Sequence, residues 1–171
     1  MQAEERWKFE QITMPHFDAA YNLARWLTSD AHAAEDVVQE AYLRAARYFS
    51  SFRGGDGRKW LLGVVRRASL DWLAKRKSQP AVVLGDDVHE AVDVSSDPVI
   101  EAERKFDQQR VREAIAELPQ QYREVVVLRE LEGMSYQEIA AVIEAPIGTV
   151  MSRLARGREC LQVRLRPPAN G

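Results

Sequence analysis

Hydrophobic positions recur at helical spacing through most of this chain, and the register changes only where glycine, proline or a polar cluster intervenes. Phe17, Tyr21 and Ala24 predict a first amphipathic helix. Asp30 stands where it would cap a longer one over Ala31 to Phe49, with Ala34, Val37, Val38, Ala41, Ala45 and Tyr48 as its buried stripe. The run Ser51-Phe52-Arg53-Gly54-Gly55-Asp56-Gly57 reads as a loop, because three glycines in four positions leave little helix propensity. A third helix follows from about Arg58 to Lys77 and turns Leu61, Val64, Val65, Ala68 and Trp72 inward.

No helical period survives between Ser78 and Pro98, where prolines, valines and carboxylates predict a linker that is mobile when free. Helix returns at about Val99, with Glu101, Arg104, Val111, Ile115 and Leu118 along it, and stops at Pro119. Tyr122 to Leu131 forms the next helix over Val125, Val126 and Leu128, and Gly133 suits its C-terminal cap. Ser135 with Glu138 three residues on is a capping-box signature for a helix that buries Ile139, Ala140 and Ile143. Glu144-Ala145-Pro146 interrupts the pattern, and Val150 with Leu154 resumes it as a second short helix after a tight turn. The expected fold class is all-α: two small helical domains, residues 1–77 and 99–171, joined by a flexible acidic linker over 78–98. The first is a bundle of three to four helices and the second contains a helix-turn-helix. The chain shows no internal repeat, and its only strand-like run is Ala81-Val82-Val83-Leu84.

Charge distribution matters more here than the formal net charge of -2. Residues 78 to 103 contain seven carboxylates and no lysine or arginine, which leaves +3 before them and +2 after. An acidic middle therefore separates two mildly basic ends. The single cysteine, Cys160, excludes an internal disulfide and a zinc-binding cysteine cluster, and suits a reducing compartment. No apolar run approaches the ~18 residues of a membrane helix, and the acidic start MQAEERWKFE does not suit a signal peptide. The expected location is cytoplasmic, with no membrane insertion.

Catalysis finds no footing. His16, His32 and His89 are far apart and in no metal-binding frame, and neither a phosphate-binding loop nor a nucleophile elbow is present. No enzyme activity, catalytic residue, metal or cofactor is expected. Binding surfaces are better represented. On the second helix Asp36, Glu40, Leu43 and Arg47 share the face opposite the buried stripe, with Gln39 at its edge. A leucine among charges suggests a partner surface, while an ordinary solvated face laced by pairs such as Glu40–Arg44 accounts for it equally well. The third helix holds seven basic residues against one acid, Asp71, and places Lys59, Gly63, Arg66 and Leu70 opposite its apolar stripe. Basic side chains of this kind neutralise phosphates, and nearby aromatics can stack on unpaired bases. Trp60 and Trp72 fall close to the core stripe, so Phe52 in the glycine-rich loop is the stronger candidate for meeting a base. The last helix carries Ser152, Arg153, Arg156 and Arg158 away from Val150 and Leu154, a pattern that fits a major groove or a solvated basic hairpin.

Two separated blocks resemble one family. AAEDVVQEAYLRAARYFSSFRGGDGRKWLLGVVRRASLDWLAKRK is similar to region 2 of extracytoplasmic-function (ECF) sigma factors, the small group 4 members of the sigma-70 family. AIAELPQQYREVVVLRELEGMSYQEIAAVIEAPIGTVMSRLARGRECL is similar to their region 4. The resemblance implies a factor that binds core RNA polymerase and directs promoter-specific initiation, under the control of an anti-sigma factor. It assigns Asp36, Gln39, Glu40, Leu43 and Arg47 to core-polymerase binding. It places Phe52, Arg53, Lys59, Gly63, Arg66, Arg67 and Leu70 at the -10 element, where a base is captured out of the stack. Thr149, Ser152, Arg153, Arg156 and Arg158 fall at the -35 element, and the acidic linker would thread the polymerase's RNA-exit region. Three departures from the family pattern stand out: Arg67 where asparagine is common, Met151 where a basic residue is frequent, and Glu144-Ala145 in place of a glycine-containing turn. The chain is also expected to lack a sensor of its own. Two rival readings remain at this point. One is a sigma mimic that only titrates an anti-sigma factor; the other is a helix-turn-helix repressor whose first unit dimerises on a palindromic operator.

Overall fold

The computed structural model describes residues 1–78, 97–167 and 169. Among them there are only helices and turns. Helices α1 (Ala3–Thr13), α2 (Phe17–Thr28), α3 (Ala31–Arg47) and α4 (Gly57–Lys77) make the first unit. Helices α5 (Pro98–Ala116), α6 (Gln120–Val126), α7 (Tyr136–Ile143) and α8 (Ile147–Leu165) make the second. The acidic run and its strand-like Ala81–Leu84 lie almost wholly outside the described residues.

In the first unit α2, α3 and α4 pack on one another, because each carries an uninterrupted apolar stripe. Leu23 and Leu27 of α2, Val37, Val38 and Ala41 of α3, and Leu61, Leu62 and Val65 of α4 are all buried. Asp30 caps α3 as expected, accepting from the Ala33 amide at 3.0 Å. The helix ends at Arg47, so Tyr48 is 59% exposed rather than part of the buried stripe. Phe49 takes the buried place instead, inside a 3-10 turn over Phe49–Ser51. Two further expectations are corrected. Phe17 is exposed, since the stripe of α2 runs through Ala20, Leu23, Ala24 and Leu27. Val64 and Trp72 are half-buried at the edge of α4, where Leu62 and Ser69 lie inside.

Helix α1 was not legible, because its apolar residues do not form one stripe: only Phe9 and Thr13 are buried. Phe9 nonetheless anchors it. The ring meets Phe49 edge-on at 5.4 Å between centroids, and Tyr42 at 6.4 Å. Tyr42 donates its hydroxyl to the Thr13 carbonyl at 3.0 Å, and burial pushes its phenol up to about 12.

The second unit is built around α8. Val150 and Leu154 are buried, and α5, α6 and α7 all pack on this helix. Ser135 and Glu138 form the expected capping box, with both bonds present at 3.1 and 3.0 Å. Gly133 adopts φ +64, which lets the chain turn sharply after the helix while Met134 N–H returns to the Leu128 carbonyl. The predicted Tyr122–Leu131 helix is α6 continued by one π turn over Val127–Leu131. Val99 and Val111 of α5 are exposed, because only the C-terminal end of α5 reaches the core through Ala114 and Ile115.

Gly157 sits where α8 crosses α6 most closely. A β-carbon there would lie 2.8 Å from Val126 Cγ2 and 3.5 Å from Tyr122 Cβ. Gly157→Ala is therefore expected to destabilise the protein by about 1–3 kcal/mol, through overpacking in a tight contact. Urea unfolding measures it, with the midpoint falling and the slope unchanged.

The two units share one apolar core. Helix α4 packs along α7, and α2 packs against α6. Arg123 of α6 reaches the Leu118 carbonyl at 2.8 Å and the Trp26 carbonyl at 3.4 Å, and burial lowers its pKa.

Candidate promoter and polymerase interfaces

On α3, Asp36, Gln39, Glu40, Leu43 and Arg47 are all exposed, opposite Ala34, Val37, Val38, Ala41 and Ala45. Leu43 is 64% exposed, the largest apolar surface on that face. Arg44 stands beside it and donates to Glu40 at 2.8 Å and to Asp71 of α4 at 2.6 Å. The hydrogen bond from Arg44 holds the Glu40 carboxyl below its usual range. The Glu40–Arg44 pair expected of a solvated face forms, and Leu43 lies exposed beside it.

The -10 candidates divide into three groups. Phe52 does not project freely. Its ring stacks on Phe49 at 6.0 Å with 16° between planes, and lies 5.1 Å from Trp60. Arg53, next in the chain, is exposed, as is Arg67, while Lys59 and Leu70 are half-buried on α4. Gly63 and Arg66 face the second unit. Arg66 donates from Nε to Glu124 Oε2 at 2.7 Å and from Nη2 to Oε1 at 3.1 Å. Arg67 pairs with Glu144, in the turn before α8.

The -35 candidates also divide. Ser152 and Arg156 are exposed on α8, with Ser152 donating back to the Thr149 carbonyl at 3.1 Å. Thr149 is half-buried. Arg153 is half-buried and turns back onto its own unit, 3.9 Å from Glu124 of α6. Arg158 is held inside its own unit, donating to Glu130 at 3.2 and 2.8 Å. That bond, with a second to Tyr136, raises its pKa. Exposed Ile147 and Met151 add apolar surface at the start of α8.

Three residues that organise these surfaces escaped the sequence reading. Glu124 is 1% exposed and accepts from Arg66 and Gln120. The signal was a carboxylate at an inward register of the apolar run Glu124–Leu128. Arg58 donates to the Glu132 carbonyl at 2.8 Å, joining the first turn of α4 to the second unit. Gly157 falls seven residues after Val150, on the buried stripe, which is where a glycine implies close helix approach.

A capped helix-turn-helix, with a basic, outward-facing last helix on an all-helical body, is the architecture of a DNA-binding protein. The chain belongs to the sigma-70 family: the models for sigma-70 region 2 and region 4 match residues 14–79 and 108–161, more than half of it. The ECF RNA polymerase sigma-E factor of Escherichia coli, 34% identical over 77% of this chain and 73% of its own length, places it among the ECF members. The ECF RNA polymerase sigma factor SigE of Mycolicibacterium smegmatis is 30% identical over 90% of this chain. The RNA polymerase sigma-H factor of Pseudomonas aeruginosa is 31% identical over 98% of it. This chain spans 60% of the length of SigE and 91% of that of sigma-H. Among solved structures, the sigma factor RpoE in complex with the anti-sigma factor NepR from Bartonella quintana matches with a TM-score of 0.76 and 28% identity. That match covers 92% of this chain and 96% of the other. Membership makes the protein a transcription initiation factor rather than an enzyme. No helix among the described residues is long and apolar enough to cross a membrane.

Proposed function

We propose that this protein binds core RNA polymerase through α3 and selects promoters by reading -10 DNA with α4 and its preceding loop and -35 DNA with α8. The observation that carries the reading is the outward placement of Ser152 and Arg156 on a helix whose Val150 and Leu154 are buried under its own unit. A rigidly held helix of this kind can enter a major groove with its first turns against base edges. Arginine supplies phosphate and guanine contacts, and the exposed Met151 supplies an apolar surface suited to a thymine methyl. The α3 face supports polymerase docking, since Leu43 is an exposed apolar anchor inside a rim of Asp36, Gln39, Glu40 and Arg47. The protein works in the cytoplasm, where its polymerase and DNA are. Its activity is held in check by an anti-sigma factor, a reading supported by the likeness to a sigma factor crystallised with one.

Purified protein added to core polymerase is expected to give discrete transcripts from a genomic promoter pool. A sigma mimic gives none, and a repressor binds a palindrome without polymerase. Arg156→Ala is expected to reduce transcription from a -35-dependent promoter by about tenfold, the loss of one charged DNA contact. Unaltered initiation from that promoter removes Arg156 from the -35 interface.

A further inference from the structure

Helix α1 lies ahead of the residues that match the region 2 model, yet it packs against the loop assigned to the -10 element. Its buried ring, Phe9, sets an edge on Phe49 at 5.4 Å, with 83° between planes. Phe49 stacks on Phe52 at 6.0 Å. Trp60 of α4 closes the group, 6.1 Å from Phe49 and 5.1 Å from Phe52. Aromatic pairs prefer edge-on and offset arrangements, so these rings fix one another's orientation.

The far end of the loop meets α1 as well. Gly57, the first residue of α4, sits so near Ile12 that a β-carbon would lie 2.6 Å from Ile12 Cγ2 and 2.9 Å from its carbonyl oxygen. Asp56 caps the same helix, accepting from the Lys59 amide at 3.2 Å. The Tyr42 hydroxyl ties down the end of α1 through the Thr13 carbonyl. Between these anchors the chain is bare. Arg53, Gly54, Gly55 and Asp56 are exposed, and β-carbons on Gly54 and Gly55 would meet nothing within 4 Å. Both glycines have positive φ, +87 and +92, so they serve backbone conformation and not close packing. A loop clamped at both ends and open between them is pre-organised, which lowers the entropic cost of seating a base that has left its stack.

We propose that α1 is the buttress of the -10 loop, and that Phe9 and Ile12 are positioning residues for promoter opening. In this role neither touches DNA: Phe9 acts through Phe49 and Phe52, and Ile12 through Gly57. The role rests on the loop being the -10 reader. It belongs to the melting step, and leaves core binding through α3 and -35 reading through α8 unchanged.

The test compares holoenzymes carrying the full chain or its Phe9→Leu and Gly57→Ala forms on two templates. One template is fully duplex, and the other is already unpaired across the -10 element. Circular dichroism confirms folding, and permanganate reactivity of -10 thymines reads opening. Phe9→Leu keeps apolar bulk in the site and loses the ring edge, which separates positioning from stability. Gly57→Ala disturbs the second anchor and removes no ring, so the test stays decisive if the Phe9 variant fails to fold. Each variant is expected to lose about tenfold in duplex opening and transcription, the scale of one lost contact of this kind. On the unpaired template, where the base has already left its stack, transcription should recover to within about twofold of the unsubstituted protein. Undiminished duplex opening by folded variants overturns the buttress. An equal loss on both templates overturns it too, and reduces α1 to a support of the fold. Where the α1 variants open the duplex normally but Arg53→Ala/Lys59→Ala does not, the loop remains the -10 reader without a buttress. Where that double variant also opens it normally, the -10 reading of the loop falls and the buttress falls with it.

Discussion

Leu154→Ala is expected to lower the stability of the protein by about 2–5 kcal/mol, the range for deleting a buried leucine whose site cannot collapse. Leu154 is 1% exposed and belongs to the cluster that includes Leu128, Met134, Ile139 and Val150. Helices α6 and α7 both pack on α8, and Val126 and Tyr122 crowd Gly157 one turn further along. None of these can move in to fill the space without displacing the others. The urea midpoint should fall with an unchanged slope, and the loss should exceed that of Gly157→Ala. Because the side chain points away from the exposed Ser152 and Arg156, -35 recognition should survive wherever the protein is still folded. A normal midpoint would mean that α8 is not held through this stripe.

Arg66→Ala is expected to reduce promoter-specific transcription by about tenfold to a hundredfold, the effect of losing one arginine contact worth ~1–3 kcal/mol. It also leaves Glu124 buried without its bidentate donor. Removing one partner of a buried pair is costly because the other charge stays desolvated. The free protein should therefore open at the seam at the same time. The two consequences separate by experiment: scattering follows the opening, and run-off transcription with saturating core polymerase follows the promoter contact. Arg66→Lys should restore part of the charge effect but not the fork geometry. Full transcription by Arg66→Ala would confine Arg66 to the seam.

Much of the candidate site was legible because helical faces obey a fixed period. The exposed set Asp36, Gln39, Glu40, Leu43 and Arg47 follows from the buried positions of Ala34, Val37, Val38, Ala41 and Ala45 by a rotation of about 100° per residue. The capping box at Ser135 and the glycine cap at Gly133 were equally local, since each depends on residues within a few positions. Phe52 shows the limit. Its loop suggested a free ring, yet Phe49 and Trp60 come from either side in the fold and stack against it. Arg158 shows the same limit, because Glu130 lies 28 residues away on another element. Tyr48 and Phe49 exchange their expected places because α3 ends at Arg47 and not at Phe49, which periodicity alone does not register.

The sequence by itself determined the helices, their caps, the order of two units around an acidic run, and which residues of α3 and α8 would face outward. These depend on backbone geometry and on neighbours three or four positions apart. Only the tertiary structure decided that the units close on each other, with Glu124 placed between Arg66 and Arg153 and Glu144 against Arg67. Charge pairing across a seam depends on distances between elements, and a buried carboxylate finds its partners only after the helices that carry them have packed. Composition marks those arginines as basic, and only packing decides whether a carboxylate of the same chain already holds them.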